Sequence, residues 1–160
     1  MTAPAPRLPL ASEEATLALG AALGKGALPG RVLFLSGDLG AGKTTLVRGL
    51  LRALGWEGRV KSPTYALVET YALSPLNLYH FDFYRFKDRE EWVSSGFREH
   101  FNPDSICIVE WPEMADGLLP QPDLHITLEI TGTTRRAAFA APSPAGLDWR
   151  RSALASLLRS

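Results

Sequence analysis

A single cysteine, Cys107, is all the thiol this chain carries. That excludes an internal disulfide and a cysteine-rich zinc site, and it suits a reducing compartment. The residue lies in the apolar run "ICIV", where a buried, inert strand thiol is expected. Surplus charge is also missing, because 17 basic side chains face 17 acidic ones. No global field then draws the protein to nucleic acid or an anionic membrane, so any nucleic-acid contact is expected to be weak or indirect. Nowhere do 18 apolar residues run together, and no membrane span or membrane contact is expected. The opening "MTAPAPRLPL" has scattered prolines and no continuous apolar core, so it does not read as a secretory signal; residues 1–9 are expected to be flexible and the protein cytoplasmic. Internal repeats are absent too.

What is present fits one soluble domain over 1–160: 46% hydrophobic and 21% charged residues are enough to bury one core. Ser12 is placed to cap a helix that opens with Glu13 and Glu14, turns Leu17, Ala18, Ala21 and Ala22 to one side and stops near Gly24. "RVLFLSG" is a short, nearly continuous apolar run of the kind buried on both faces of a sheet. From Lys43 the apolar residues recur at Leu46, Val47, Leu50, Leu51 and Leu54, a helical stripe that ends at Gly55. "YALVETY" and "LYHFDFY" read as an antiparallel strand pair turning at Ser74-Pro75. "EEWVSSGF" reads as a short helix, "SICIVEW" as a buried strand ending in a carboxylate, and "LHITLEI" with "RRAAFAA" as a closing hairpin. After the linker-like "APSPAG", Leu147 to Leu158 reads as an amphipathic helix. Strands mixed with helices around an early glycine loop predict an α/β sandwich.

Between the first strand and its helix lies "GDLGAGKTT". Gly37, four residues, then Gly42-Lys43-Thr44 fit the phosphate-binding loop pattern, which chance would produce in roughly four of a thousand sequences of this composition. Placement after a strand and before a helix strengthens it. Bare backbone lets successive N–H groups turn toward phosphate oxygens, and the helix start adds its positive end. Leu39, Gly40, Ala41, Gly42, Lys43, Thr44 and Thr45 are therefore the expected nucleotide-binding segment. Lys43 would reach the β and γ phosphates, and the Thr44 hydroxyl would ligate Mg2+.

Such a loop needs a carboxylate at the end of a neighbouring strand. "ICIVEWPE" supplies Glu110, a glutamate where aspartate is commoner, for water-mediated metal contact or for aligning the attacking water. Trp111 beside it is expected to pack, with no part in the chemistry. In "KSPTY", Thr64 sits where nucleotide switches sense a γ phosphate. Alternation in "YHFDFYR" puts His80, Asp82 and Tyr84 on one face and Phe81 and Phe83 on the other, which offers Asp82 as a second carboxylate.

"GDLGAGKTTLVRGLL", "VKSPTYALVETY", "LYHFDFYR" and "ICIVEWPE", in this order and spacing, resemble the bacterial TsaE (YjeE) family, the small ATPase of the threonylcarbamoyladenosine tRNA-modification pathway. The likeness runs from "LASEEATLALG" to the final hairpin. It implies a one-domain P-loop NTPase fold, a three-layer sandwich with a mainly parallel central sheet and added antiparallel strands. It also implies binding of ATP or ADP with Mg2+, and hydrolysis that is weak alone and stimulated by the TsaB and TsaD partner subunits. On the matching motifs, Thr44 and Glu110 would be metal-associated, and Lys43, Asp82, Glu110 and Thr64 would carry hydrolysis. Glu13, Glu113 and Arg135 fall where the family places further nucleotide contacts.

Three other classes share the loop. A small-molecule kinase would add an arginine-bearing lid, as which "FYRFKDREEW" could be misread, and would phosphorylate an acceptor instead of releasing phosphate. A GTPase would need an Asn-Lys-x-Asp run, which the sequence lacks. A nucleotide-gated binding module would bind ATP and hydrolyse almost none.

Overall fold

The structure, a computed structural model, describes residues 6–63 and 65–159. It is a mixed α/β fold with one seven-stranded sheet and four helices. The strands are β1 (Arg7–Leu10), β2 (Val32–Ser36), β3 (Val68–Ala72), β4 (Asn77–Asp82), β5 (Ser105–Glu110), β6 (Leu124–Thr131) and β7 (Thr134–Ala140). The helices are α1 (Glu13–Lys25), α2 (Lys43–Ala53), α3 (Arg89–Ser94) and α4 (Pro144–Leu158). Strand order across the sheet is β1-β7-β6-β2-β5-β4-β3. The middle four, β6, β2, β5 and β4, pair in parallel, while β3, β7 and β1 add antiparallel edges. Residues 7–9 differ from expectation. They belong to β1, which pairs with β7 from Arg7 opposite Ala138 to Leu10 opposite Arg135.

The strands with a helix on each face read as near-continuous apolar runs because both faces are buried. All six residues of β5 are buried. Leu33, Leu35, Ile106 and Ile108 share one core with α1, α2 and α4. Val32, Cys107 and Val109 point the other way, into an aromatic core with Phe81, Phe83, Trp92 and Phe97. Trp92 on α3 is therefore anchored in that core. Trp149 on α4 is fully buried and its indole N–H donates to the Leu23 carbonyl at 2.8 Å, tying the last helix to the first. Truncating such a ring costs about 3–5 kcal/mol.

One helix boundary and one helix face differ from expectation for local reasons. Ser143 caps α4, its hydroxyl accepting from the Gly146 amide at 3.0 Å with Pro144 at the first helical position, so the helix opens inside "APSPAG" and not at Leu147. On α1, Ser12 caps as expected by accepting from the Ala15 amide at 3.2 Å, but the buried face is Thr16, Leu19, Gly20, Ala22, Leu23 and Gly24. Of the expected side only Ala22 is fully buried. Glycine is the reason: Gly20 and Gly24 of α1 and Gly49 of α2 bring the two backbones together, a contact that apolar periodicity does not register.

Cys107 is buried, its Sγ lies 3.2 Å from the His100 carbonyl, and burial pushes the thiol up to about 12. At pH 8 almost none is thiolate, so a disulfide thiol reagent is expected to leave Cys107 unmodified in the native protein and to modify one thiol in denaturant. Fast modification of the native protein would show the aromatic core opening locally.

Candidate functional site

The site forms where β2 ends and α2 begins, beside the ends of β4 and β5. Gly40 and Gly42 adopt φ of +84° and +107°, a left-handed backbone that side chains resist. A Cβ on Gly40 would meet nothing within 4 Å, so the protein needs glycine there for its backbone angle and not for lack of room. Gly42 is the N-cap of α2 and offers no side chain to its first turn. The leading amides of that helix are then left for a ligand, reinforced by the positive helix end.

A cavity of about 450 Å³ opens on one side of this loop. It is lined by Leu39, Gly40, Gly42, Lys43, Thr44, Thr45, Ser62, Asp82, Tyr84, Arg85, Glu110 and Trp111. The parallel register sets Asp82 opposite Glu110, which brings two carboxylates 28 residues apart in sequence to the same end of the sheet. Burial holds the Asp82 carboxyl above the usual carboxylate range, opposed by the Tyr84 amide that donates to it at 2.9 Å; Glu110 pushes it further up. Lys43 is buried, its ammonium donating to the Gly37 carbonyl at 2.6 Å and lying 3.8 Å from Glu110 Oε1. The same ammonium sits 4.2 Å from the centre of the Trp111 ring. Trp111 therefore lies against the lysine expected to meet phosphate, a cation–π contact.

On the other side of the loop lies a cavity of about 240 Å³ lined by Ser12, Glu13, Thr16, Ala41, Thr45, Thr134 and Arg135 among others. Arg135 donates to the Gly40 carbonyl at 3.1 Å, so β7 braces the loop directly. Glu13 also pairs with Arg48 at 3.9 Å.

The family profile described as "Threonylcarbamoyl adenosine biosynthesis protein TsaE" matches residues 10–138 of this chain. The chain belongs to the TsaE family. The tRNA threonylcarbamoyladenosine biosynthesis protein TsaE of Haemophilus influenzae is 46% identical over 115 residues, covering 72% of this chain and 73% of that protein. Its namesake from Bacillus subtilis is 42% identical over 110 residues, covering 69% and 68%. The crystal structure of Bacillus subtilis YdiB superposes with a TM-score of 0.77 at 29% identity, covering 96% of this chain and 98% of that one.

The TsaE match runs from Leu10, the last residue of β1, into β7 and so takes in the lining of both cavities, while α4 lies outside it. Of the residues expected from the sequence, the larger cavity gathers Leu39, Gly40, Gly42, Lys43, Thr44, Thr45, Asp82 and Glu110. The smaller gathers Glu13, Ala41 and Arg135. Glu113 joins neither: it is exposed on the turn Pro112–Ala115 and lines a separate cavity with Phe34 and His125. Thr64 lies outside the described residues. Sequence reasoning gave no role to His80, Trp111 or Arg85. His80 is fully buried and its Nε2 lies 2.5 Å from Glu110 Oε2. Arg85 lines the larger cavity with its guanidinium 4.8 Å from the Tyr65 ring centre. The signal for His80 was its place on the Asp82 face of β4; only the register between β4 and β5 reveals its partner.

Proposed function

We propose that this protein is a magnesium-dependent ATPase of the P-loop type that supports threonylcarbamoyl transfer to an adenosine of tRNA together with TsaB and TsaD subunits. The observation that carries the reading is the convergence of Lys43, Thr44, Asp82 and Glu110 on one cavity at the uncapped start of α2. Helices on both faces of a sheet whose central strands are parallel, with the loop after β2, support the P-loop sandwich. The tRNA pathway is taken from the names of the relatives and the family, and the cytoplasmic setting from the sequence reading alone. Among the described residues no helix is long and apolar enough to cross a membrane.

The donor set fits Mg2+ held jointly with a nucleotide. Among the described residues no three His, Cys, Asp or Glu side chains cluster closely enough to bind a metal by themselves. A hydroxyl and one or two carboxylates are what Mg2+ takes from protein when phosphate oxygens and waters complete its shell. Thr44 and Glu110 would hold it, and when bound it neutralises charge on the phosphate oxygens. The chain's own groups do the rest. Amides from Gly40 to Thr45 hold the phosphates, and Lys43 moves its charge from the Gly37 carbonyl onto them. Asp82 or Glu110 orients water in line with the γ phosphate. Glu13 and Arg135, across the loop, would contact the nucleoside. Leu39 and Tyr65 are largely exposed around this mouth, a surface a partner subunit could cover to stimulate turnover. The kinase alternative is weakened because "FYRFKDREEW" leads into α3, which Trp92 anchors in the core, leaving no free lid there.

Phosphate release with ATP and Mg2+ tests the reading. Slow release alone and faster release with TsaB and TsaD are expected, with ATP competing better than GTP. Silence in both conditions despite tight ATP binding would favour the binding-module alternative. Glu110→Ala should lower turnover by roughly 10²-fold or more while changing ADP affinity far less. Equal loss of both would reject a role specific to hydrolysis.

A further inference from the structure

The fully buried ring of His80 is unused by the mechanism above. It stands on β4 two residues before Asp82, and the register sets His80 opposite Ile108 and Asp82 opposite Glu110. Glu110 therefore meets His80 diagonally across the sheet, Oε2 to Nε2 at 2.5 Å, while its Oε1 lies 3.8 Å from Lys43 in the nucleotide cavity. A carboxylate oxygen accepts, so the hydrogen is on Nε2. Nδ1 is buried without a hydrogen-bond partner among the described residues, so Nε2 carries the ring's hydrogen-bond contact.

We propose that His80 is a positioning residue for Glu110. Its Nε2–H anchors one carboxylate oxygen and so points the other at Lys43 and the reacting phosphate. Without that anchor Glu110 has staggered alternatives open to each of its side-chain torsions, and few of them present Oε1 to the cavity. The anchor also gives a reason for glutamate where aspartate is commoner. The contact is diagonal, and the extra methylene supplies the reach that a carboxylate directly opposite Asp82 would lack. Partners that orient a catalytic or metal-associated group in this way commonly govern activity by about 10–100-fold.

This inference rests on the ATPase reading for its kinetic consequence but not for its geometry. In nucleotide-free protein carrying 15N-labelled histidine, the long-range nitrogen–proton spectrum should show His80 protonated on Nε2, with a hydrogen-bonded proton that shifts in Glu110→Ala. A His80 proton on Nδ1 overturns the proposal. Among kinetic variants, His80→Leu should lower kcat about 10–100-fold with ADP affinity by calorimetry within about threefold. His80→Gln, whose side-chain amide places a donor near the position of Nε2, should recover most of that loss. In a Glu110→Ala background, His80→Leu should change the residual rate by less than about twofold, since there is nothing left to orient. Equal losses in both backgrounds, or a Gln variant no better than Leu, would mean His80 merely supports the fold. Thermal melts of each variant identify any that unfold, and the Gln variant decides the matter if the Leu variant does. Should wild-type protein bind no ATP at all, the ATPase reading falls, and the nitrogen spectrum alone supports or overturns the His80 anchor.

Discussion

Lys43→Ala should lose phosphate release by at least roughly 10²–10³-fold, the effect of deleting one preorganised group aimed at developing charge. The expectation comes from where the ammonium is held. It is buried against the Gly37 carbonyl at 2.6 Å, the Trp111 ring at 4.2 Å and Glu110 Oε1 at 3.8 Å, so the cation is desolvated beside the loop. Transfer to a triphosphate then exchanges one set of acceptors for a more highly charged one. Alanine removes the charge and leaves Glu110 with His80 on one of its oxygens and Asp82 opposite it on the neighbouring strand. Losing one partner of a buried ion pair is destabilising by roughly 3–5 kcal/mol when the remaining charge has no other contact, so a smaller loss is expected here. A thermal melt must therefore accompany the rate. Lys43→Arg should not rescue, because a longer planar guanidinium does not fit a slot shaped for a point charge between a carbonyl and an indole face. Near-native phosphate release by folded Lys43→Ala would remove the cavity from consideration as a hydrolytic site.

Gly20→Val should lower the melting temperature by about 6–12 °C, corresponding to roughly 3 kcal/mol in a domain of this size. A Cβ at Gly20 would lie 2.1 Å from the Leu46 carbonyl oxygen and 3.0 Å from the Leu50 nitrogen. Both are backbone atoms within α2, so no side chain can turn aside and the two helices must separate. Gly49 makes the reciprocal contact, its Cβ position 2.3 Å from the Leu17 carbonyl oxygen. Separation also reaches the site, because α1 contributes Glu13 and Thr16 to the smaller cavity and α2 contributes Thr45. Nucleotide affinity should fall with stability. Ala18→Val, on the exposed side of α1, is the control, and its effect should stay within about 0.5 kcal/mol. Equal melting temperatures for the Gly20 variant and wild type would refute backbone contact between the helices.

The sequence revealed the site better than it revealed the packing around it. The glycine-loop pattern is local: its glycines, lysine and threonine sit at fixed offsets along one continuous turn of backbone. Apolar runs bounded by turns disclosed β2, β5 and the β6–β7 hairpin, and the stripe from Leu46 to Leu54 disclosed α2. The face of α1 was misjudged because hydrophobicity cannot mark glycines used for close approach. The contact of Trp111 with Lys43 escaped notice because a ring beside a strand end gives no hint that a lysine from another element lies over it.

By itself, then, the chain determined its family, its glycine loop and the chemical character of the groups available: one lysine, hydroxyls and carboxylates able to meet a phosphate and a hard cation. Those properties are carried by residues close together in sequence or by motif order. Which carboxylate stands opposite which, what holds Glu110 in place, and that Glu113 turns toward another cavity were decided only by tertiary structure. The parallel pairing of β4 with β5 and of β2 with β5 sets those distances, and strand register across a sheet depends on long-range packing that no local pattern contains.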